Sequence, residues 1–549
     1  MKVKLILPEL APGAGAGRGA GARPLRQGYG AQGSCPTRSR RRVKYSLWPP
    51  LGLATLAGYL RDDDEVTLQD ENVETLDLDD EPDLVGIQVY VSCANRAYEI
   101  ADHYRRRGVH VALGGVHTTS MPAEAIRHAD TIFLGPGEDT WPVFLDEFRA
   151  ARRGARPPRA KSRGEPRGWN DPAGMQTATC PPYRVYRSTN RTLADQPPVR
   201  RDLIKRHLYL APNSLVVSRG CPHACDFCSN SAFFRGGKSF YTQTVDQALG
   251  EIERLPGNHL YFLDDHIFGN RQFARALCDA LTGMGKIWQS AGTVESALDR
   301  EMIARAAKSG LRTLLVGFES LSAENMRDQR KMQNVRANYN EAIRVLYDHG
   351  IMVNGSFVVG LDHDDESVFD RTVEWAISQG METATFHILT PYPGTALHQR
   401  MSEAGRITTS NWDLYDTCHV VFEPARMSAG ALLEGYHRAY RSFYGWGSIL
   451  RNAWARPGVR EKLRHAAYAG GWGRCEALWH MVIQAGQVGR FTPLLEATLA
   501  GFGAHGSMRA PVGAGFVNPA VTTQASRSLR PAVPSPQPVG QDLRVLPRW

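Results

Sequence analysis

Short apolar runs separated by amphipathic stretches recur along most of this chain. Residues 2–8, 65–70, 84–89, 110–115 and 131–135 are compact and rich in Val, Ile and Leu. Runs of this kind suit strands buried on both faces of a parallel sheet. Helical periodicity marks 51–60, 95–107 and 139–149. The alternation predicts an α/β, doubly wound (Rossmann-like) domain over residues 1–149. The opening run, Met1 to Pro8, is too short for a signal peptide and reads as the first strand.

The same alternation returns over residues 201–400. Strands are expected near 215–218, 259–264, 286–291, 312–319, 353–360 and 383–390, with helices such as 245–254, 271–283 and 366–379 between them. Six such units predict a partial (β/α)6 barrel of TIM type, whose chemistry collects at the C-terminal ends of its strands. Residues 150–200 are rich in Arg, Pro and Gly without periodicity and read as a linker. Residues 401–505 read as a helical C-terminal region, and 506–549 as a disordered tail.

Charge changes the picture little. The 549 residues carry a formal +9, and the Gly/Ala/Arg stretch at 11–44 holds +8 of it with no acid. That stretch interrupts the loop after the first strand and reads as a disordered insert. The remainder is close to neutral, so no nucleic-acid partner is expected. No apolar run approaches a membrane span. Nine cysteines, six of them scattered, do not form a secreted disulfide framework.

The three clustered cysteines carry the chemistry. Cys221, Cys225 and Cys228 stand in Ser218-Arg-Gly-Cys-Pro-His-Ala-Cys-Asp-Phe-Cys-Ser-Asn230, a C-x3-C-x2-C spacing directly after a predicted strand. Three thiolates on one loop can hold three irons of a 4Fe-4S cluster and leave the fourth open to a small molecule. A zinc knot wants four closed ligands, and only His223 offers a fourth nearby. A ferredoxin needs a fourth cysteine at a matching interval. An oxygen-sensitive cluster also implies a reducing compartment, so a cytoplasmic location is expected.

This motif, with Phe227 before the third cysteine, resembles the radical S-adenosylmethionine (SAM) enzymes. The resemblance implies further site residues. Asp264, Asp265 and Asn270, in Asp-Asp-x-x-Phe-x-x-Asn at the end of the second barrel strand, match the position that grips the SAM amino group. Asn270 also precedes a helix and suits an N-cap. Glu319, in Gly-Phe-Glu-Ser, looks like the fourth-strand acid that faces SAM, or else a salt-bridge partner. Gly355 and Gly360 resemble the strand beside the adenine. The turn Thr390-Pro-Tyr-Pro-Gly-Thr395 matches a recurrent loop of the cobalamin-dependent branch.

The N-terminal domain extends the resemblance. Gly114-Gly115-Val-His117 and Gly135-Pro-Gly137-Glu138 lie at successive strand ends, where glycine lets backbone approach a ligand. Upstream of such a barrel, and with Pro49-Pro-Leu-Gly52, they resemble the cobalamin (B12)-binding domain of the B12-dependent radical SAM enzymes. The Asp-x-His-x-x-Gly pattern that supplies a histidine to cobalt is absent after the first strand, as in the methylating branch. The implied reaction is reductive cleavage of SAM to a 5′-deoxyadenosyl radical and methylation of an unactivated carbon from methylcobalamin. The alternatives are a radical SAM cyclase, oxidase or rearrangement enzyme without methyl transfer, and a non-enzymatic zinc- or RNA-binding protein. A small-molecule or lipid-like substrate and an electron donor such as flavodoxin or ferredoxin are the implied partners. Trp412, Asp413, Tyr415 and His419 read as core packing or as a substrate pocket.

Overall fold

The computed structural model describes residues 1–10, 46–153, 185–454, 456 and 458–474. The insert at 11–44, residues 154–184 of the expected linker, the helical region beyond 474 and the expected tail lie outside the described residues. Six parallel strands form the first sheet. They are β1 (Lys2–Leu7), β2 (Glu65–Asp70), β3 (Leu84–Gln88), β4 (His110–Gly114), β5 (Thr131–Leu134) and β6 (Val185–Arg187). Their order is β2-β1-β3-β4-β5-β6. The strands are short and apolar because helices cover both faces. All four residues of β5 are buried, and the helix Ala94–Arg106 lays Ala97, Tyr98, Ala101 and Tyr104 against the sheet.

The sixth strand comes from the stretch expected to be linker. Residues 185–211 are no tether. β6 pairs with β5, Arg200 N–H donates to the Ala54 carbonyl, and Tyr209 donates to Asp70 at 3.0 Å. Three residues are too few to show a period among so many arginines and prolines.

The second sheet is also parallel. It contains β7 (Ser214–Leu215), β10 (His259–Phe262), β11 (Ile287–Gly292), β12 (Leu311–Glu319), β13 (Met352–Val359) and β14 (Thr383–Ile388), in the order β14-β13-β12-β11-β10-β7. The antiparallel hairpin β8 (Ser218–Gly220) with β9 (Phe240–Thr242) follows the first of these strands. Phe262, Trp288, Phe318, Phe357 and Phe386 fill the layer between this sheet and its outer helices, each buried. Side chains of this size each contribute about 1.5–3 kcal/mol on burial.

The barrel is open, and its β14 edge is closed by side chains. On the helix Ala429–Phe443, Tyr440 takes the Phe386 N–H and donates to the Phe386 carbonyl, at 3.1 and 3.0 Å. Tyr444, one turn on, does the same at Ala384, at 3.0 and 2.9 Å. Two phenols thus satisfy the groups a further strand would have paired. The buried ion pair Arg456–Glu382, at 2.7 Å, anchors the following helices to the start of the same strand. Trp412 and Tyr415 are core residues, packed against the first domain.

Candidate active site

The cysteine loop is pinned from several sides. Gly220 adopts φ +78°, and a β-carbon there would run into the Ser239 carbonyl, so glycine is required at the hairpin step before Cys221. Cys221 N–H donates to Ser239 O at 3.0 Å. Asp226, between the second and third cysteines, donates its backbone N–H to Gln329 O at 3.0 Å, while its carboxylate pairs with Arg330 at 3.5 Å and with Arg400. Burial pushes the Cys221 thiol up to about 11 and the Cys228 thiol up to about 12. The thiols hold their protons until a metal displaces them. Among the described residues no three His, Cys, Asp or Glu side chains converge as a single-ion site requires. The three sulfurs are nonetheless near enough to raise one another's pKa, with both Cys221 and Cys225 acting on Cys228. A four-iron cluster, which spreads its ligands, fits this donor set better than one ion.

The two aspartates divide their work. Asp264 is 2% exposed and faces the protein, accepting from Val217 N–H at 3.2 Å, from Ser218 N–H and from Ser218 Oγ at 2.5 Å. It therefore stands behind the site and holds the start of the cysteine hairpin on β10. Burial raises its carboxyl to about 7. Asp265 is exposed, accepts from Gly220 N–H at 3.2 Å, and acts electrostatically on Cys221 and Cys228. Of the pair, Asp265 is the one that faces the loop's open side. Asn270 is an N-cap: its Oδ1 accepts from Phe273 N–H at 3.0 Å at the start of the helix Arg271–Leu281. Its side-chain oxygen is committed to that cap.

Glu319 ends β12 with φ +61°, a conformation uncommon for a side-chain-bearing residue. Its carboxylate pairs with Lys331, and both are nearly buried, 11% and 8% exposed. Burial alone would lower the Lys331 ammonium, but the Glu319 charge holds it above its ordinary value. The Lys331 ammonium also lies 5.9 Å from the Phe227 ring centroid and feels Cys225 and Cys228. Lys331 thus puts a buried positive charge beside the three sulfurs.

Gly355 sits on β13 with its α-carbon turned outward, where a β-carbon would meet Met381 and Phe357. The inward positions are its neighbours by alternation, including Asn354, which accepts from Thr385 Oγ1 across the strands at 3.4 Å. Gly360 closes the strand, donating its N–H to Asp364 at 3.0 Å. Tyr392, in the 390–395 turn, is within electrostatic reach of Cys228.

The first sheet presents its own crevice. The strand order changes direction between β1 and β3, the point at which doubly wound sheets bind ligands. Gly114 and Gly115 end β4. Gly115 has φ +118°, and a β-carbon there would clash with the Val89 carbonyl. Tyr90, just past β3, is 40% exposed, yet burial pushes its phenol up to about 12. Gln88 Nε2 donates to its hydroxyl at 2.9 Å.

Glu138, from the Gly135-Pro-Gly137-Glu138 turn, forms an ion pair with Arg219 at 2.7 Å. Arg219 lies two residues before Cys221, so the crevice and the cysteine loop meet here. Buried polar atoms without a protein partner collect at this junction: Glu138 Oε2, Asp139 Oδ1, Arg219 Nε, Tyr241 Oη and Gln88 Oε1. Such atoms are costly unless a ligand completes them. A corrin ring edged with amide donors and acceptors fits this lining. His117 lies elsewhere. It is fully buried, with Nε2 3.2 Å from Glu124 and its ring 5.0 Å from that of Trp412. It supports the crevice wall from behind.

Four residues of the site carry no motif. Three of them are Arg219, Lys331 and Tyr90. Arg191, in the supposed linker, is 4% exposed and donates to the carbonyls of Phe234, Lys238 and Arg235, the last two at 3.0 and 3.1 Å. Only their positions beside strand ends and cysteines could have singled them out.

A parallel α/β domain facing a cysteine-bearing open barrel defines a cofactor-dependent enzyme of two domains. Residues 41–145 match the B12 binding domain, and residues 215–376 match the Radical SAM superfamily. The chain is 28% identical to bacteriochlorophyllide d C-12(1)-methyltransferase of Chlorobaculum tepidum, over 74% of this chain and 85% of that one. It is 25% identical to the anaerobic magnesium-protoporphyrin IX monomethyl ester cyclase of Rubrivivax gelatinosus, over 76% and 77%. In fold it resembles the radical S-adenosylmethionine methyltransferase TsrM from Kitasatospora setae, with a TM-score of 0.55 at 15% identity, covering 90% of this chain and 99% of that one. The chain thus carries a B12 binding domain followed by a radical SAM domain. The radical SAM domain implies a 4Fe-4S cluster and SAM, and the B12 binding domain implies cobalamin.

Proposed function

We propose that this protein is a cobalamin-dependent radical SAM C-methyltransferase acting on an unactivated carbon of a small-molecule or lipid-like substrate. The observation that carries this reading is the Arg219–Glu138 pair, which joins the cysteine loop to the glycine-lined crevice. When bound, the cluster with SAM supplies a 5′-deoxyadenosyl radical, and cobalamin supplies a transferable methyl group.

The chain's own residues position these groups and exclude water. Cys221, Cys225 and Cys228 would hold the cluster. Asp265 would accept hydrogen bonds from the SAM ammonium group, and Lys331 would meet its carboxylate while remaining paired with Glu319. Phe227 would shield the cluster edge. Gly114, Gly115, Gly135, Gly137, Glu138 and Tyr90 would line the cobalamin crevice, with His117 behind. Tyr392 and the inward face of β13 would bound the substrate space.

A low-potential protein of the flavodoxin or ferredoxin class would supply electrons. An oxygen-sensitive cluster calls for a reducing compartment, which supports a cytoplasmic location. Among the described residues no helix is long and apolar enough to cross a membrane.

A second reading, ring closure without methyl transfer, is favoured by the cyclase relative. One assay separates the two. Anaerobic enzyme with hydroxocobalamin, SAM and reductant is offered candidate substrates, and nucleoside products are counted. Methyl transfer yields 5′-deoxyadenosine and S-adenosylhomocysteine in equal amounts, with a product in which one hydrogen is replaced by methyl, a net gain of CH2. Deoxyadenosine without S-adenosylhomocysteine supports the cyclase reading instead.

A further inference from the structure

The segment after β12 approaches the cysteine loop on one side and solvent on the other. The helix Ala323–Asp328 ends at Arg330, which adopts φ +51°. This left-handed step reverses the facing of the next two residues. Lys331 turns inward beside Cys225 and Cys228, while Met332 turns outward and is 61% exposed. The following residue, Gln333, donates through Nε2 to Cys225 Sγ at 3.9 Å. Met332 therefore sits on the surface one residue from a contact with a cluster ligand.

The rim around Met332 is basic. Arg327 and Arg336 are exposed on the same segment. Arg330 is 74% and Arg400 45% exposed, and both reach the buried carboxylate of Asp226, which lies inside the cysteine motif. On the helix Ala323–Asp328 itself, Asp328 reaches His363 at 2.8 Å and Glu324 lies 3.9 Å from the same ring, both acids being exposed. Four exposed arginines around an exposed methionine, on a segment that touches the cysteine loop through Gln333 and Asp226, suit an acidic partner that must come close and then leave.

We infer that the surface formed by Arg327, Arg330, Met332, Arg336 and Arg400 is the docking site for an acidic electron-transfer protein that reduces the cluster. The inference rests on the proposed radical SAM function and locates its electron entry. The donor loses one electron and the cluster-bearing enzyme gains it; no atom is transferred. The short path from Met332 through Gln333 to Cys225 is the entry route.

The test uses the full chain with its cluster assembled and cobalamin bound. Cluster bleaching is followed after mixing with reduced flavodoxin, an acidic donor, and separately with dithionite. In the Arg327→Glu/Arg336→Glu variant the flavodoxin rate should fall about tenfold or more at low salt. Met332→Glu should fall likewise, Arg327→Lys/Arg336→Lys should retain the wild-type rate, and added salt should slow the wild type. The dithionite rate should stay unchanged throughout. A wild-type flavodoxin rate in the charge-reversed variant overturns the inference, as does a parallel loss with dithionite. A wild-type chain with no dithionite-reducible cluster overturns the proposed function itself, a separate and distinguishable failure.

Discussion

Lys331 and Glu319 bury opposite charges beside the cysteine loop, and neither is tolerable alone. Replacing Lys331 with Met leaves an uncompensated carboxylate in the barrel and should cost about 3 kcal/mol of stability. Urea unfolding of the metal-free protein measures this. SAM binding by equilibrium dialysis should weaken in the same variant, whereas Glu319→Gln/Lys331→Met should recover stability but not SAM affinity. Asp264 behaves differently because it is held by backbone donors. Burial raises its carboxyl to about 7, so the folded state favours the protonated form. Its contribution to stability is therefore greatest in acid and falls as pH rises from about 4, where the unfolded carboxyl ionises, to about 7. Asp264→Asn should flatten that part of the stability profile, read from thermal melts across pH. A slope unchanged by the substitution would contradict the assignment. From the chain alone, the Asp-Asp pair and the three cysteines were legible as chemistry. Which aspartate faces the ligand was not, since that depends on where the cysteine hairpin folds back.

At the scale of elements, strands read clearly wherever apolar residues ran together, and the five long runs of the first domain appear at nearly their expected positions. β6 escaped notice because three residues in an Arg- and Pro-rich stretch show no period, and its pairing with β5 is a tertiary event. The same stretch hides Arg191, one arginine among many, whose guanidinium holds the carbonyls of Phe234, Arg235 and Lys238 in the segment after the cysteine loop. Arg191→Met strips partners from buried carbonyls and should destabilise the fold by about 2–3 kcal/mol. Iron incorporation should drop with it, measured as iron and sulfide per chain after anaerobic reconstitution. The covered edge of β14 was likewise invisible to pattern, because tyrosine at helical spacing reads as ordinary core. Tyr444→Phe leaves the Ala384 N–H and carbonyl without their phenol and should cost about 1–3 kcal/mol. Hydrogen exchange at Ala384 should accelerate while strands on the far side of the barrel stay protected.

At the scale of the whole molecule, the enzyme is organised around one junction. The crevice at the carboxyl ends of the first sheet and the cysteine loop of the barrel are tied by Arg219–Glu138, and Arg191 and the 390–395 turn close over the same region. Two-domain architecture was readable from repeated strand–helix alternation and one specific motif. The junction was not, because its residues are far apart in the chain and carry no spacing. Glu138→Gln should leave the cluster intact yet loosen cobalamin by about tenfold, seen as cofactor lost on gel filtration and quantified by its visible absorbance. The central claim is that the three cysteines leave one iron open to SAM in a chain that also holds cobalamin. Electron paramagnetic resonance of the dithionite-reduced, cobalamin-loaded enzyme, before and after SAM is added, tests it most directly. The account predicts about four irons per chain and a cluster signal that shifts on adding SAM. An unshifted signal, or a protein that takes up zinc without sulfide, would contradict it.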